Sequence, residues 1–239
     1  MSNPKERNTK GLLAIWADVD EDYRIEFQRW HNCEHMTERV TIPGFYVGRR
    51  YQGVSKAPDF LMMYETYDSK VMSSEPYLFA KNNPTAWTKK GLTHFKNGVR
   101  NIYYLVATAG KRPATEAPYI LVLRFNLEVE SKNEIIKWYS EEHLVELCTV
   151  PGVYRGRLYE VDAEVSNIKT TERSISGTGP GQQILLALYE ISSLDLSTSK
   201  QWQGVLEGTD RSKKMLMKLE DLQEESYWLD FTMYAPEVG

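Results

Sequence analysis

Trp30-His31-Asn32-Cys33-Glu34-His35, continued by Ile42-Pro43-Gly44-Phe45-Tyr46-Val47-Gly48-Arg49-Arg50-Tyr51, has a counterpart later in the chain. It is Trp138-Tyr139-Ser140-Glu141-Glu142-His143, continued by Val150-Pro151-Gly152-Val153-Tyr154-Arg155-Gly156-Arg157-Leu158-Tyr159. The offset is 108 throughout, as from Trp30 to Trp138, with no gap. A self-match at this period means two copies of one structural unit of roughly 110 residues, an ordinary small-domain size. The ionisable pair kept in both copies of the helix is Glu-His.

Around this stretch the pattern reads βαββαβ twice. In the first copy Gly11 to Asp18 is an apolar strand and Asp20 to Arg39 a helix with apolar residues at helical spacing. Pro43-Gly44 ends the helix, and 45–53 and 59–67 are strands rich in Tyr, Val and Met. A second helical region, 69–95, is interrupted by Asn82-Asn83-Pro84 and leads to a closing strand at 101–108. The second copy repeats this order, and Tyr64-Glu65 matches Tyr189-Glu190 at an offset of 125. The change of offset locates a 17-residue insertion within 162–182, ending in Gly177-Thr178-Gly179-Pro180-Gly181 and read as a long mobile loop or lid. The predicted organisation is a first ferredoxin-like unit at 11–108, a linker at 109–117 and a second unit at 118–234. The fold class is α+β, with the antiparallel sheets of the two units packed face to face as a pseudo-twofold barrel.

Composition narrows the function. The 239 residues are 41% hydrophobic and 26% charged, as in ordinary globular proteins. A net charge of −4 with scattered Lys and Arg gives no footprint for nucleic acid or a polyanionic surface. No apolar run is long enough to span a bilayer, and Met1 to Lys10 lacks the apolar core of a signal peptide. Cys33 and Cys148 are the two cysteines and do not occupy matching positions, which suits reduced thiols in a cytoplasmic protein. The expected partner is a small molecule, and a homo-oligomer is compatible with the sequence.

Candidate chemistry centres on the helix. Glu34 lies about 40° around from Trp30 and His35 about 140°, so His31, Glu34, His35 and Glu38 share a polar side. Glu142, His143 and Glu146 hold the matching places. A His tuned by a carboxylate exchanges protons near neutral pH, so Glu34 with His35 and Glu142 with His143 are candidate acid/base pairs; two solvated Glu residues and two packing His residues are the structural alternative. His31-x-x-Glu34-His35 also fits the inverted zinc-peptidase pattern, with His31 and His35 as ligands. No third-ligand helix stands out downstream, and the second copy has Tyr139 in place of His31, so no metal is expected.

The first strand adds an asymmetry. Leu12, Ala14, Trp16 and Asp18 share one face, matched by Ile120, Val122, Arg124 and Asn126. If that face points inward, Arg124 is a cation in an apolar chamber and needs an anion: a substrate carboxylate or enolate, or a local Glu. Trp16, Tyr64 and Tyr189 are candidate pocket residues, while Arg49 and Arg157 are expected to hold the turn after the repeated Gly. With Arg124 and the insertion both in the second unit, His143 ranks above His35 as the working base.

The Trp-x-x-x-Glu-His helix followed by Pro-Gly and a Tyr/Arg-rich strand resembles the dimeric α/β-barrel superfamily, particularly its EthD-like branch. The resemblance covers both copies and implies ferredoxin-like units pairing through their sheets, each with a pocket between sheet and helices. Related members isomerise, dehydrate or cyclise small cyclic substrates, or oxidise anthrones without a cofactor, and others bind haem. By motif, the first-helix His of the isomerase-like members falls on His35 and His143. The chain departs from the family where Trp30 and Trp138 replace a frequent His, and in its insertion. The expected function is cofactor-independent acid/base chemistry, as an isomerase, dehydratase or lyase. A cofactor-free monooxygenase of a phenol or anthrone is the alternative enzyme, and a small-molecule-binding or stress-response barrel the non-enzymatic one.

Overall fold

A computed structural model describes residues 9–236; most of the stretch read as lacking a signal peptide lies outside them. The strands are β1 (Gly11–Val19), β2 (Phe45–Gly53), β3 (Phe60–Thr66), β4 (Phe95–Gly110), β5 (Tyr119–Asn126), β6 (Val153–Val161), β7 (Leu185–Ile191) and β8 (Glu220–Tyr234). Helix α1 runs over 24–40, α2 is Glu75–Asn82 and α3 is Ala86–Leu92. Helix α4 runs over 132–147, α5 is Ala163–Ser166, α6 is Thr171–Ser176, α7 is Lys200–Leu206 and α8 is Asp210–Leu216. No helix among the described residues is long and apolar enough to cross a membrane.

The strands close into one antiparallel barrel in the order β1-β3-β2-β8-β5-β7-β6-β4. Within each half the order is that of a βαββαβ unit: β3 lies between β1 and β2, and β7 between β5 and β6. The halves are not merely faced together, as two stacked sheets would be. They are hydrogen-bonded edge to edge through β2–β8 and β4–β6 ladders. The reason is length. β4 has 16 residues and β8 has 15, so each pairs with its own half at one end and with the other half at its far end. Closure leaves no sheet edge with unpaired backbone groups.

Alternation along the strands then makes three cores. Leu12, Ala14, Trp16, Ile120, Val122, Leu186 and Leu188 fill the barrel interior. Leu13, Ala17, Met62 and Tyr64 face outward and are covered by α1 and its neighbours. Leu121, Phe125, Ala187 and Tyr189 form the corresponding layer under α4.

The repeated helix carries a local irregularity in both halves. Residues His31–His35 and Tyr139–His143 form a π-type turn, and the N–H of Met36 and of Leu144 each bond the carbonyl five residues back. Such turns widen the helix by one residue and recur at functional sites. The helix sits close to the sheet here. A Cβ on Gly48 would lie 2.9 Å from the Tyr64 ring, and one on Gly156 would lie 2.9 Å from Leu144. That close approach explains the Gly before Arg in each copy of the motif.

Candidate active site

The repeated Trp-x-x-x-Glu is a clasp on the neighbouring helix. Trp30 Nε1 donates to Thr88, and Glu34 accepts from the hydroxyls of Thr85 and Thr88. Thr85 is also the N-cap of α3, accepting from the Thr88 backbone N–H. In the second half Trp138 Nε1 donates to Ser212, and Glu142 accepts from Thr209, the N-cap of α8, and pairs with Arg211. Both carboxylates therefore spend their acceptor capacity on a helix start, and neither is bonded to the following His. The structure thus gives Glu34 and Glu142 an anchoring role in place of the expected acid/base pairing.

His31 and His35 face the other way, into a cavity of about 40 Å³ between α1 and the sheet. Leu13, Ile15, Met62, Leu92 and Phe95 supply its apolar lining, and Tyr64, Tyr77, Arg39, Lys81 and Arg100 its polar side. The His31 ring is fixed at both nitrogens: Arg50 lies 3.3 Å from Nδ1 and the Tyr64 hydroxyl 3.1 Å from Nε2. A guanidinium can only donate, so Nδ1 accepts and the neutral ring carries its proton on Nε2. That proton points to the Tyr64 oxygen, which leaves the Tyr64 O–H free to donate into the cavity. Burial raises the Tyr64 pKa above its ordinary value, so it serves as a donor and not as a phenolate.

His35 is only partly enclosed, and its Nδ1 has no hydrogen-bond partner among the described residues. Burial, then the charges of Arg39 and Lys81, hold its pKa well below the usual histidine value, so it is a neutral base. Arg39 and Lys81 both pair with Glu172, Lys81 at 2.6 Å, and Glu172 is 1% exposed. Burial alone would push the Glu172 carboxyl up; Lys81 and Arg39 more than offset it and keep it ionised. Arg100 completes the group by donating to the Tyr77 hydroxyl at 3.0 Å.

Glu172 comes from the insertion. The segment is not an unstructured loop: it forms α5 and α6, buries Val165 in the core under α1, and bonds Asp162 to Ser69. The gate in the sequence of the second half thus closes the cavity of the first. Removing it would strip Arg39 and Lys81 of their shared counter-ion.

The second half is built differently. His143 is 2% exposed and packs against Trp138, Tyr139 and Tyr189, with ring centroids 4.2, 4.8 and 6.4 Å away. Tyr189 packs in turn on Trp202. The 108 offset puts Leu147 where Arg39 stands, so the cationic side is missing. Trp16 and Arg124 lie inside the barrel, away from both histidines' layers. Arg124 meets Glu225 at 2.6 Å and stacks on Trp16 at 4.3 Å, so its anion is a local Glu. It therefore needs no substrate to satisfy its charge.

His31 and His35 do not form the metal pair of the alternative zinc-peptidase pattern, because both His31 nitrogens are engaged. His35, Glu38 and Glu172 do bring donor atoms within 4.8 Å of one another. Arg39 already bridges Glu38 and Glu172, however, and a metal cation would have to displace Arg39 and Lys81 from the carboxylates.

The buried histidines give the protein an acid-sensitive window. Burial lowers the His143 pKa to about 3. Between that value and the ordinary 6.5, the unfolded chain binds a proton that the native state does not, so stability is lost as pH falls. From pH 6.5, where the unfolded imidazole is half protonated, to pH 5 the wild type should lose about 1.6 kcal/mol more than His143→Gln. Urea unfolding at the two pH values checks this, and parallel losses would show that His143 is solvated.

No protein-family model matches this chain, and no curated protein matches it by sequence. Solved structures do. An anthrone oxidase-like protein superposes with a TM-score of 0.66 at 10% identity, over 97% of this chain and 95% of that one. A provisionally named monooxygenase from Lactobacillus acidophilus gives 0.59 at 7% identity, over 95% and 97%. A chlorite dismutase from Candidatus Nitrospira defluvii gives 0.56 at 8%, over 97% and 96%. The chain shares with these proteins the fold described above, an eight-stranded antiparallel barrel of two βαββαβ halves. At these identities the likeness is one of fold.

Proposed function

We propose that this chain is a cofactor-independent monooxygenase that deprotonates an electron-rich phenol or anthrone beside His35 and lets the resulting anion react with dioxygen. The observation that carries it is the His35 imidazole, its Nδ1 unpartnered, in one chamber with Arg39, Lys81 and the free Tyr64 O–H. A neutral base accepts the proton, and the cations and the O–H stabilise the anion left behind. Such preorganised charge stabilisation is the dominant source of rate enhancement in many enzymes. Burial and the two cations disfavour a lone imidazolium, so His35 takes a proton only as an anion forms next to it. The apolar part of the lining suits dioxygen, and a bound ring would displace water from beside the base. For a ring CH₂ the balance is CH₂ + O₂ → C=O + H₂O, with dioxygen accepting all four electrons.

The names of two structural neighbours, an anthrone oxidase-like protein and a provisional monooxygenase, favour this reading over the isomerase or dehydratase that would share its first step. The EthD-like branch and a tandem duplication are part of the same proposal, resting on the repeated motif. Oxygen uptake with anthrone tests it. One dioxygen consumed per anthrone in air, and no conversion under nitrogen, is the expected result. Conversion under nitrogen would return the isomerase or lyase reading, and binding without turnover the binding-barrel reading.

A further inference from the structure

We propose that Arg39 and Lys81 are the binding site for a ligand carboxylate, carried on an aromatic or cyclic acid, and that Glu172 fills this site until the ligand replaces it. The proposal rests on the reading of the His35 cavity as a ligand site and names the class of ligand it takes. The first ground is size. A cavity of about 40 Å³ holds waters, whereas pockets for small organic ligands span roughly 300–1,000 Å³. A ring can enter only if something moves, and we assign that movement to α6, which carries Glu172 and is tied to the first half by the Thr171 N–H to Asn82 and by Ile175. Ser176 and Thr178 of the insertion line the cavity beside Glu172. The α5 side of the insertion is anchored by Val165 in the core and by Asp162 on Ser69.

The second ground is charge. Moving α6 takes Glu172 away from Arg39 and Lys81, which are 1% and 8% exposed. Lys81 is then left without its carboxylate and Arg39 with Glu38 alone, an unfavourable state for buried cations. A neutral ligand leaves them so until it loses its own proton, whereas a carboxylate takes over both bonds on entry. Arg39 presents a fork suited to two carboxylate oxygens, and Lys81 a point charge. Arg100 adds a third cation whose bond is to a neutral phenol, Tyr77, so the cavity lining sets Arg39, Lys81 and Arg100 against Glu172, with Glu38 on Arg39 outside the lining. The surplus charge is positive. A ring whose carboxylate sits on Arg39 and Lys81 would place its body toward the unpartnered His35 Nδ1. Glu172 is thus an internal competitor, and its removal should raise affinity for an anion and not for its neutral isostere.

Isothermal titration at constant ionic strength, with benzoate and benzamide as probes, tests this without reading turnover. Benzoate should bind Glu172→Ala at least tenfold more tightly than it binds the wild type, and benzamide should bind both weakly and alike. Adding Lys81→Gln to Glu172→Ala should abolish the gain. Glu172→Gln, which keeps the side-chain shape, stands in if Glu172→Ala does not fold. If neither folds, thermal shifts decide: benzoate should raise the unfolding midpoint of the wild type more than benzamide does, and not that of Lys81→Met. Equal binding of benzoate and benzamide to the Glu172 variants, or equal shifts, overturns the proposal. Oxygen uptake plays no part in these measurements. A protein that binds benzoate but never consumes oxygen would keep this inference and lose the monooxygenase reading; the converse result would do the opposite.

Discussion

Glu65→Gln should lower the unfolding free energy by about 3 kcal/mol or more, on the scale of 3–5 kcal/mol seen when one partner of a buried ion pair is removed. Glu65, on β3, is 2% exposed, and its Oε1 accepts from Arg49 and Arg157, each at 2.8 Å. Arg49 belongs to β2 and Arg157 to β6, so this one carboxylate ties together strands of both halves. Burial would raise its pKa; Arg157 and Arg49 reverse that and hold it well below the ordinary carboxylate range. The network continues from Arg157 to Glu190, which also takes two bonds from Arg155, and from Arg49 to Glu116. The remaining partners keep the expected loss at the low end of the range. Urea unfolding measures it, with Arg211→Ala as the contrast. Arg211 is an exposed partner of Glu142, and losing it should cost less than about 1 kcal/mol. A Glu65→Gln loss below that level would mean that the arginines relax to water and that the ionic knot does not hold the barrel shut.

Residues of that knot were visible in the sequence as repeated pairs, Gly-Arg at 48–49 and 156–157 and Tyr-Glu at 64–65 and 189–190. Their partnership was not. Strand periodicity says which face a residue takes, but not that Arg49 and Arg157, read as holding turns, meet one carboxylate across the barrel. The alternation of β1 and β5 put Trp16 and Arg124 on one face, and the structure turns that face into the barrel. What the alternation left open was the anion, which comes from β8 as Glu225.

The helix shows the same division. Ideal helical angles put Glu34 and His35 in one polar arc and suggested a Glu-His pair. The structure instead turns Glu34, with Trp30, onto the Thr85 and Thr88 hydroxyls of α3, a partner that helix angles cannot show. The cavity charges were illegible for a different reason. Arg39, Lys81, Arg100 and Glu172 sit on α1, α2, β4 and α6, up to 133 residues apart, with no spacing to link them. The insertion was legible as an insertion. That it folds over the opposite half depends on the β4–β6 ladder, which brings the end of β6 beside the first half.

If the cavity works as proposed, His35→Ala should lower turnover by about a hundredfold or more, the usual scale for a general base, while His143→Ala should leave kcat within a few-fold. The sequence favoured the opposite order because Arg124 and the insertion belong to the second half. Both attributes pass to the first half or disappear once the chain is folded: Arg124 is satisfied by Glu225, and the insertion delivers Glu172 beside Arg39. His143 keeps the imidazole but is walled in by Trp138, Tyr139 and Tyr189, and it has Leu147 where His35 has Arg39 nearby. A base without a cation to hold the anion it creates gains little. Glu34→Ala separates the two roles on the helix further. It removes the acceptor of Thr85 and Thr88, so it should cost stability by about 1 kcal/mol, as a lost helix cap does, with little change in kcat. Steady-state kinetics of the three variants under air, with anthrone, reads all of this at once. A hundredfold loss in His143→Ala with His35→Ala near wild type would move the chemistry to the second half and leave the Arg39–Lys81–Glu172 cluster as a structural latch.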